Sequence, residues 1–475
     1  MAQPEKQADR GKSDRVVSLR SLAPFLRPYR RTIAGVALAL LAASVFTLAL
    51  PLAFRRVIDG FSADNAALID RYFLALMGVA FALAAATAAR FYLVSWLGER
   101  VIADIRKAVF GHVAVMSPAF YERLMTAEVL TRLTTDTSII QTVVGSTASI
   151  ALRNLLLLVG GTLMLLVTSL KLTAMTLLIV PVIIVPILVL GRRVRSLSRE
   201  SQDLIADSAT HAGEVLQAAQ TVQAMTHERA SVGRFAEKVE ASFDAARRRI
   251  AARAGLTLIV IFFVSAGIVG VLWMGAADVM AGEMSAGEMA QFILYAVFTA
   301  GAVGSLTEVW GELQRAAGAT ERLAELLEVR DPVADPAEPL PPAEPARGRV
   351  EFDGVTFAYG SRPDVSALRD VALTIEPGET VALVGPSGAG KTTILQLLLR
   401  FYDPASGEVR LDGVPIDAMR LTELRSRIAL VPQDPVIFAD TVRANILFGR
   451  PDASDAEVVA AARDAAAHDF IAALP

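Results

Sequence analysis

The sequence predicts two joined folds: an all-α transmembrane domain of six helices, followed by part of an α/β nucleotide-binding domain built on a phosphate loop. Three observations carry this prediction. Hydrophobic residues make up 53% of the 475 and mean hydropathy is +0.47, with the long apolar runs crowded before Glu321. A stretch of proline and acid, 331–346, then interrupts the chain. Beyond it, 385–393 reads GPSGAGKTT and fits G-x-x-x-x-G-K-[ST], with TVALV before it and ILQLLL after it. That is the strand, loop and helix order in which backbone N–H groups wrap phosphates at a helix's positive end.

Composition removes several alternatives. The net charge of −3 gives no electrostatic case for nucleic acid as a partner. The chain has no cysteine, so disulfides, thiolate metal sites and cysteine nucleophiles are excluded. Residues 1–17 form a polar tail without the apolar core of a signal peptide, so the first spanning helix is expected to direct insertion itself.

The transmembrane domain is expected over 18–328. Residues 18–31 mix Leu22, Phe25 and Leu26 with Arg20, Arg27, Arg30 and Arg31, and Pro24 and Pro28 limit helix length, which suits a short interfacial segment. About 20 apolar helical residues cross a hydrocarbon core of roughly 30 Å. Six stretches qualify: 33–54, 72–96, 147–167, 172–190, 256–277 and 289–309. Arg153 and Asn154 interrupt the third and Arg90 lies in the second; Arg153 is expected to snorkel at the cytoplasmic boundary, with a substrate-binding arginine as the alternative, and Arg90 to be an anchor toward the cytoplasmic end of its span. Short connections alternate with long polar ones. The second long one carries Arg192, Arg193, Arg195 and Arg199 at its start and Arg247, Arg248, Arg249 and Arg253 at its end. This bias places the long connections and both termini in the cytoplasm, for a multi-pass protein of the cytoplasmic membrane. The long connections have helical periodicity and are expected to continue the membrane helices, with bends near 118–126 and 217–225. Helices of that length need partners, which implies bundling and dimer contact.

After a linker at 329–347, the cassette region is expected over 348–475. RVEFDGVTFAY, 349–359, alternates as an antiparallel strand does, and 372–375 reads as a second strand leading to the phosphate-loop strand at 380–384. In the loop, Gly385, Gly388 and Gly390 permit backbone approach to phosphates, with Pro386, Ser387 and Ala389 between them. Lys391 is placed to reach the β and γ phosphates, and the Thr392 hydroxyl to ligate Mg²⁺. Thr393 either adds a phosphate hydrogen bond or caps the helix. Tyr359, ending the first strand, either stacks on adenine or packs across the sheet. Residues 427–431 read as an apolar strand leading into Gln433, which either faces the ligand crevice, touching Mg²⁺ or the attacking water, or is a solvated loop residue.

These features, with EVLTRLTTDTSIIQ (128–141), AAQTVQAMTHE (218–228), MSAGEMAQFILYAVF (284–298), DGVTFAYGSRPDVSALRDV (353–371) and VPQDPVIFADTVRANILFG (431–449), resemble an ATP-binding cassette (ABC) exporter half-transporter of type I. The resemblance, to lipid and multidrug exporters of bacteria, runs from about Ser18 onward. It implies that Tyr359 is the adenine-stacking aromatic, 385–393 the Walker A loop and Gln433 the Q-loop, and that the two cytoplasmic bends are coupling helices. It implies ATP and Mg²⁺ as cofactors and a transport ATPase acting as a homodimer or heterodimer of half-transporters. Few fixed charges in the spans favour a lipid-like or amphipathic substrate. After Gln433 nothing resembles the LSGGQ signature, an apolar strand ending in Asp-Glu, or a switch histidine. The chain is therefore expected to be C-terminally truncated, without an assigned catalytic base and poor at hydrolysis alone. The alternative is a non-catalytic nucleotide-binding membrane protein with a regulatory or assembly role.

Overall fold

The computed structural model describes residues 18–61 and 66–474, so the expected tail at 1–17 lies outside the described residues. Contacts divide the chain into two compact units, 1–114 with 127–329, and 115–126 with 330–475.

The first unit is helical. After short helical turns over Ser18–Leu22, Ala23–Leu26 and Arg27–Tyr29 come, among the described residues, six helices long and apolar enough to cross a membrane: α1 (Arg30–Phe61), α2 (Ala66–Val113), α3 (Ala148–Thr168), α4 (Leu170–Gln217), α5 (Glu228–Met280) and α6 (Ala286–Glu328). Helix α2 has 48 residues, about 70 Å at 1.5 Å per residue, so it runs far beyond the hydrocarbon core. Pro51 lies inside α1, and Pro181 and Pro186 inside α4, as membrane helices tolerate. Large apolar side chains point outward, among them Leu178, Val189 and Trp273. An outward apolar belt of this extent suits lipid and not water.

Small residues and buried polar contacts hold the bundle together, as membrane helices require. Gly161 of α3 has no room for a side chain, because a Cβ there would lie 2.4 Å from Thr299 Oγ1 on α6. Gln291 of α6 donates to Thr168 Oγ1 at 2.9 Å, and the Tyr295 hydroxyl to the Leu48 carbonyl at 2.6 Å. Ser285 and Glu288 form a capping box that starts α6. Lys171 and Asp278 pair at 2.6 Å between α4 and α5.

Between α2 and α3 the chain forms helices at Thr126–Thr131 and Thr137–Thr142, followed by π-helical turns at Arg132–Asp136 and Val143–Thr147 respectively. The second π-turn brings Gly145 against Gly98, where a Cβ on Gly98 would lie 2.6 Å from the Gly145 Cα. In the first, the Asp136 carboxylate is buried and receives two bonds from Arg322, at 2.9 and 2.6 Å. The bend expected near 217–225 is a short helix, Ala219–Ala224, with non-helical backbone at Ala218 and Met225.

The second unit is built on an antiparallel sheet of order β2-β1-β3-β4, formed by β1 (Val350–Ala358), β2 (Ser366–Ile375), β3 (Ser406–Leu411) and β4 (Val414–Pro415). Val350 and Phe352 point into the core, and so do Val355 and Phe357. The alternation slips by one residue at Gly354, which has φ +59° and marks a register shift in both pairings of β1. Helix α7 (Lys391–Leu398) buries Leu397 against this core with Met419 and Leu424.

Two expected strands do not form. Residues 380–384 and 427–431 are not in strands, Arg427 closes a turn on the Leu424 carbonyl, and Val384 and Val431 are 88% and 92% exposed. Buried parallel strands need neighbours in the sheet and layers on both faces, and among the described residues neither segment has a strand beside it. The proline-rich stretch is laid along the second unit as a strap. Its Leu340 N–H donates to the Ala418 carbonyl at 2.8 Å, and its Asp335 carboxylate accepts from the Leu421 N–H at 2.8 Å. Farther on, Asp412 accepts from the backbone N–H groups of Arg347 and Arg349 at 3.0 and 2.8 Å.

Candidate nucleotide site

The phosphate loop leaves β2 through a turn closed by the Glu379 N–H on the Glu376 carbonyl at 3.0 Å. Gly385, Gly388 and Gly390 take φ of +154°, +82° and +86°, a region that side-chain-bearing residues rarely adopt. Gly390 is the most constrained, since a Cβ there would lie 2.6 Å from Leu368 Cδ2 and 2.8 Å from the Ala367 carbonyl oxygen. Pro386, Ser387 and Ala389 are exposed along the loop, and Ala389 N–H closes it on the Pro386 carbonyl at 3.3 Å.

Gly390 precedes α7 without a capping side chain. The first-turn N–H groups of α7 lack intrahelical acceptors, so the loop ends in a cluster of donors at the positive end of a helix. The Lys391 ammonium folds over the loop and donates to the Gly385 and Pro386 carbonyls at 2.9 and 2.8 Å. One positive charge therefore stands beside a ring of backbone donors, an arrangement suited to an anion with several oxygens. Thr392 is exposed in the first turn and offers a hard hydroxyl oxygen, and the exposed Gln433 offers an amide oxygen. These donors suit Mg²⁺, which takes few protein ligands and completes its shell with phosphate and water. Among the described residues no group of three histidines or carboxylates stands ready to hold a metal unaided.

Thr393 is buried and its hydroxyl lies 2.9 Å from the Tyr359 hydroxyl, while the N-cap position of α7 is Gly390. Tyr359 in turn donates to Gln396 Oε1 at 2.7 Å. Its ring packs edge-on against Phe357 and Tyr402, with centroids 5.0 and 5.4 Å away. Packing against the core, beside Phe357 and Tyr402, is thus the contact that the structure gives Tyr359.

Tyr402 belongs to no motif of the sequence. Its hydroxyl donates to Glu122 Oε1 at 2.6 Å. Burial, then the bond to the Glu122 carboxylate, pushes the phenol well above the ordinary tyrosine range. Glu122 lies on the short helix Pro118–Arg123, within one of the two bends expected from the sequence, and this segment clusters with the second unit. The preceding Ser117 donates from its backbone N–H and its hydroxyl to Asp331, both at 2.5 Å. Tyr402→Phe is expected to loosen this attachment by about 1 kcal/mol, read as faster amide exchange over 117–124; unchanged exchange would show that the hydroxyl does not hold the segment.

Six membrane-length helices followed by a sheet that carries a phosphate loop define a multi-pass membrane protein with a nucleotide-binding region. Residues 33–303 match the family described as ABC transporter transmembrane region, and residues 368–474 the family described as ABC transporter. The chain is 32% identical over 440 residues to the mitochondrial ATP-dependent permease MDL1 of Schizosaccharomyces pombe, covering 90% of this chain and 60% of that protein. It is 30% identical over 438 residues to a putative export ATP-binding/permease protein of Rickettsia typhi, covering 92% and 76%. Against the mitochondrial ATP-binding cassette sub-family B member 10 of Mus musculus it is 33% identical over 468 residues, covering 96% and 64%. The chain belongs to the ABC transporter family, whose cassettes are ATP-binding ATPase domains.

Proposed function

We propose that the chain supplies the membrane domain and the first part of the cassette domain of an ATP-driven exporter. The observation that carries this reading is a phosphate loop with three positive-φ glycines and an uncapped helix start, in one chain with six membrane-length helices. In this reading 18–328 form the membrane domain, 329–347 the connection, and 348–475 the cassette part. The backbone of Gly385, Pro386, Ser387, Gly388, Ala389 and Gly390 with Lys391 cradles the ATP phosphates, Thr393 braces the loop through Tyr359, and Tyr359 lies beside the base. Thr392 and Gln433 hold Mg²⁺ together with the phosphates. Two half-transporters, two copies of this chain or this chain with a related one, sit in the cytoplasmic membrane with their long connections on the cytoplasmic side. The bends at Pro118–Arg123 and Ala219–Ala224 pass cassette closure to the membrane helices. The outward apolar surface and the few charges in the spans favour a lipid-like or amphipathic substrate.

Lys391→Ala removes the charge that meets the phosphates, a contact worth about 1.5–3 kcal/mol, so ATP affinity should fall by about 10- to 100-fold. Titration with a fluorescent ATP analogue reads this, and an unchanged affinity would reject the loop as the ATP site. For export, ATP should accelerate movement of a labelled amphiphile across vesicles carrying the protein; no response to ATP would overturn the transport reading.

A further inference from the structure

Gln396 lies outside the G-x-x-x-x-G-K-[ST] pattern, five residues and about 7.5 Å along α7 past Lys391, and so more than a turn beyond the donors that face the phosphates. It is half-buried, and its neighbours Ile394, Leu395, Leu397 and Leu398 are apolar. An amide in such a place is costly unless it finds a partner. The partner is Tyr359, whose hydroxyl donates to Gln396 Oε1 at 2.7 Å and lies 2.9 Å from Thr393 Oγ1. Since the single phenol proton goes to the glutamine, the threonine hydroxyl supplies the proton of the other contact. Thr393 and Gln396 are three residues apart and share one face of α7. The result is a directed chain from Thr393 through Tyr359 to Gln396, in which each bond polarises the next.

The backbone alone does not hold Tyr359 in place. Strand β1 ends at Ala358, whose pairing with Ser366 is the last of that ladder, and Tyr359 opens a turn in which its carbonyl accepts from the Arg362 N–H at 2.9 Å. Its side chain is held from two directions. The hydroxyl lies on the long axis of the ring, so its two bonds fix where that axis points. Phe357 and Tyr402, edge-on with centroids 5.0 and 5.4 Å away, oppose rotation about the axis. The plane of the ring is thereby set relative to α7. Because α7 also begins with Lys391 and the first-turn donors, one helix fixes both the phosphate end of the site and its aromatic.

We infer that Gln396, with Thr393, positions Tyr359 for the base of the nucleotide, so that the helix that gathers the phosphates also selects a nucleoside triphosphate over a bare triphosphate. Placing the base at Tyr359 rests on the reading of the loop as an ATP site given above. Gln396 meets no part of the nucleotide itself and acts through the tyrosine, as a positioning residue.

Calorimetric titration of the full chain in detergent with ATP and with inorganic tripolyphosphate, both with Mg²⁺, tests this. ATP should bind about tenfold more tightly than tripolyphosphate, the stacked base accounting for the difference. Gln396→Leu and Tyr359→Phe should each lower ATP affinity about fivefold and leave tripolyphosphate affinity unchanged. Gln396→Glu keeps an acceptor for the hydroxyl and should restore ATP binding to within about twofold of the unaltered chain. With Tyr359→Ala already in place, Gln396→Leu should cost nothing further, because the glutamine acts only through the tyrosine. Equal losses for both ligands in Gln396→Leu would show that the glutamine shapes the phosphate loop, and an unchanged ATP affinity that it has no part in binding; either result overturns the positioning. Tripolyphosphate bound as tightly as ATP by the unaltered chain would remove the base from Tyr359 and leave the loop as a phosphate site, whereas binding of neither ligand would reject the loop as well.

Discussion

Gly390→Ala is expected to abolish ATP binding while leaving the sheet folded. The new Cβ would lie 2.8 Å from the Ala367 carbonyl oxygen and 2.6 Å from Leu368 Cδ2. The leucine methyl can swing away, but the carbonyl belongs to β2, so either the strand or the loop must shift. Alanine at φ +86° adds about 1–2 kcal/mol of left-handed strain. Because Gly390 immediately precedes the first N–H donors of α7, the shift falls on the groups that would face the phosphates. Affinity for a fluorescent ATP analogue should drop more than about 100-fold, beyond the 2.7 kcal/mol that two decades represent. Gly378→Ala is the control, since Gly378 has φ +78° but open space around its Cβ position. That variant carries the strain without the clash and should bind ATP normally. Equal losses at both positions would show that strain anywhere in the turn is what matters, and that close packing at Gly390 is not.

Arg322→Ala is expected to destabilise the membrane unit by about 2–3 kcal/mol. Arg322 makes the two charge-assisted bonds to Asp136, which is 4% exposed and would be left buried without its ion-pair partner. The exposure of Arg322 itself, 48% of its side chain, keeps the expected loss below that of a fully buried pair. Neutralising both groups with Asp136→Asn and Arg322→Gln should recover most of the loss, because a neutral amide at 136 is far cheaper to bury than a lone carboxylate. Denaturant unfolding of the three variants closes a double-mutant cycle. A single variant no less stable than the double would mean that the pair contributes little beyond its separate groups.

Much of the architecture was legible before any coordinates, and each case rests on a local rule. Six spans followed from apolar length alone, since hydrocarbon thickness sets how many helical residues must be apolar. The loop from Gly385 to Thr393 followed from a spacing that few other structures need, and β1 from the alternation over 349–359, which slips once at Gly354. The bends expected near 118–126 and 217–225 fall where the structure has the short helices Pro118–Arg123 and Ala219–Ala224.

What the sequence could not place depends on contacts between distant residues. TVALV at 380–384 has the composition of a core strand, yet it is a strand only if other strands lie beside it. The proline-rich stretch reads as a spacer until Asp335, Leu340 and Arg347 are seen bonded along the second unit. Nothing local in Tyr402 announces that it meets Glu122, 280 positions earlier. Likewise Arg90 is a single interruption in an apolar run until its guanidinium is seen donating to Ser149 Oγ, 59 positions later. The sequence by itself determined the membrane helices and the phosphate loop, because backbone hydrogen bonding and apolar periodicity act within a few residues. Only the tertiary structure decided which charges are paired, because electrostatics acts through space between chain segments whose packing no local rule specifies.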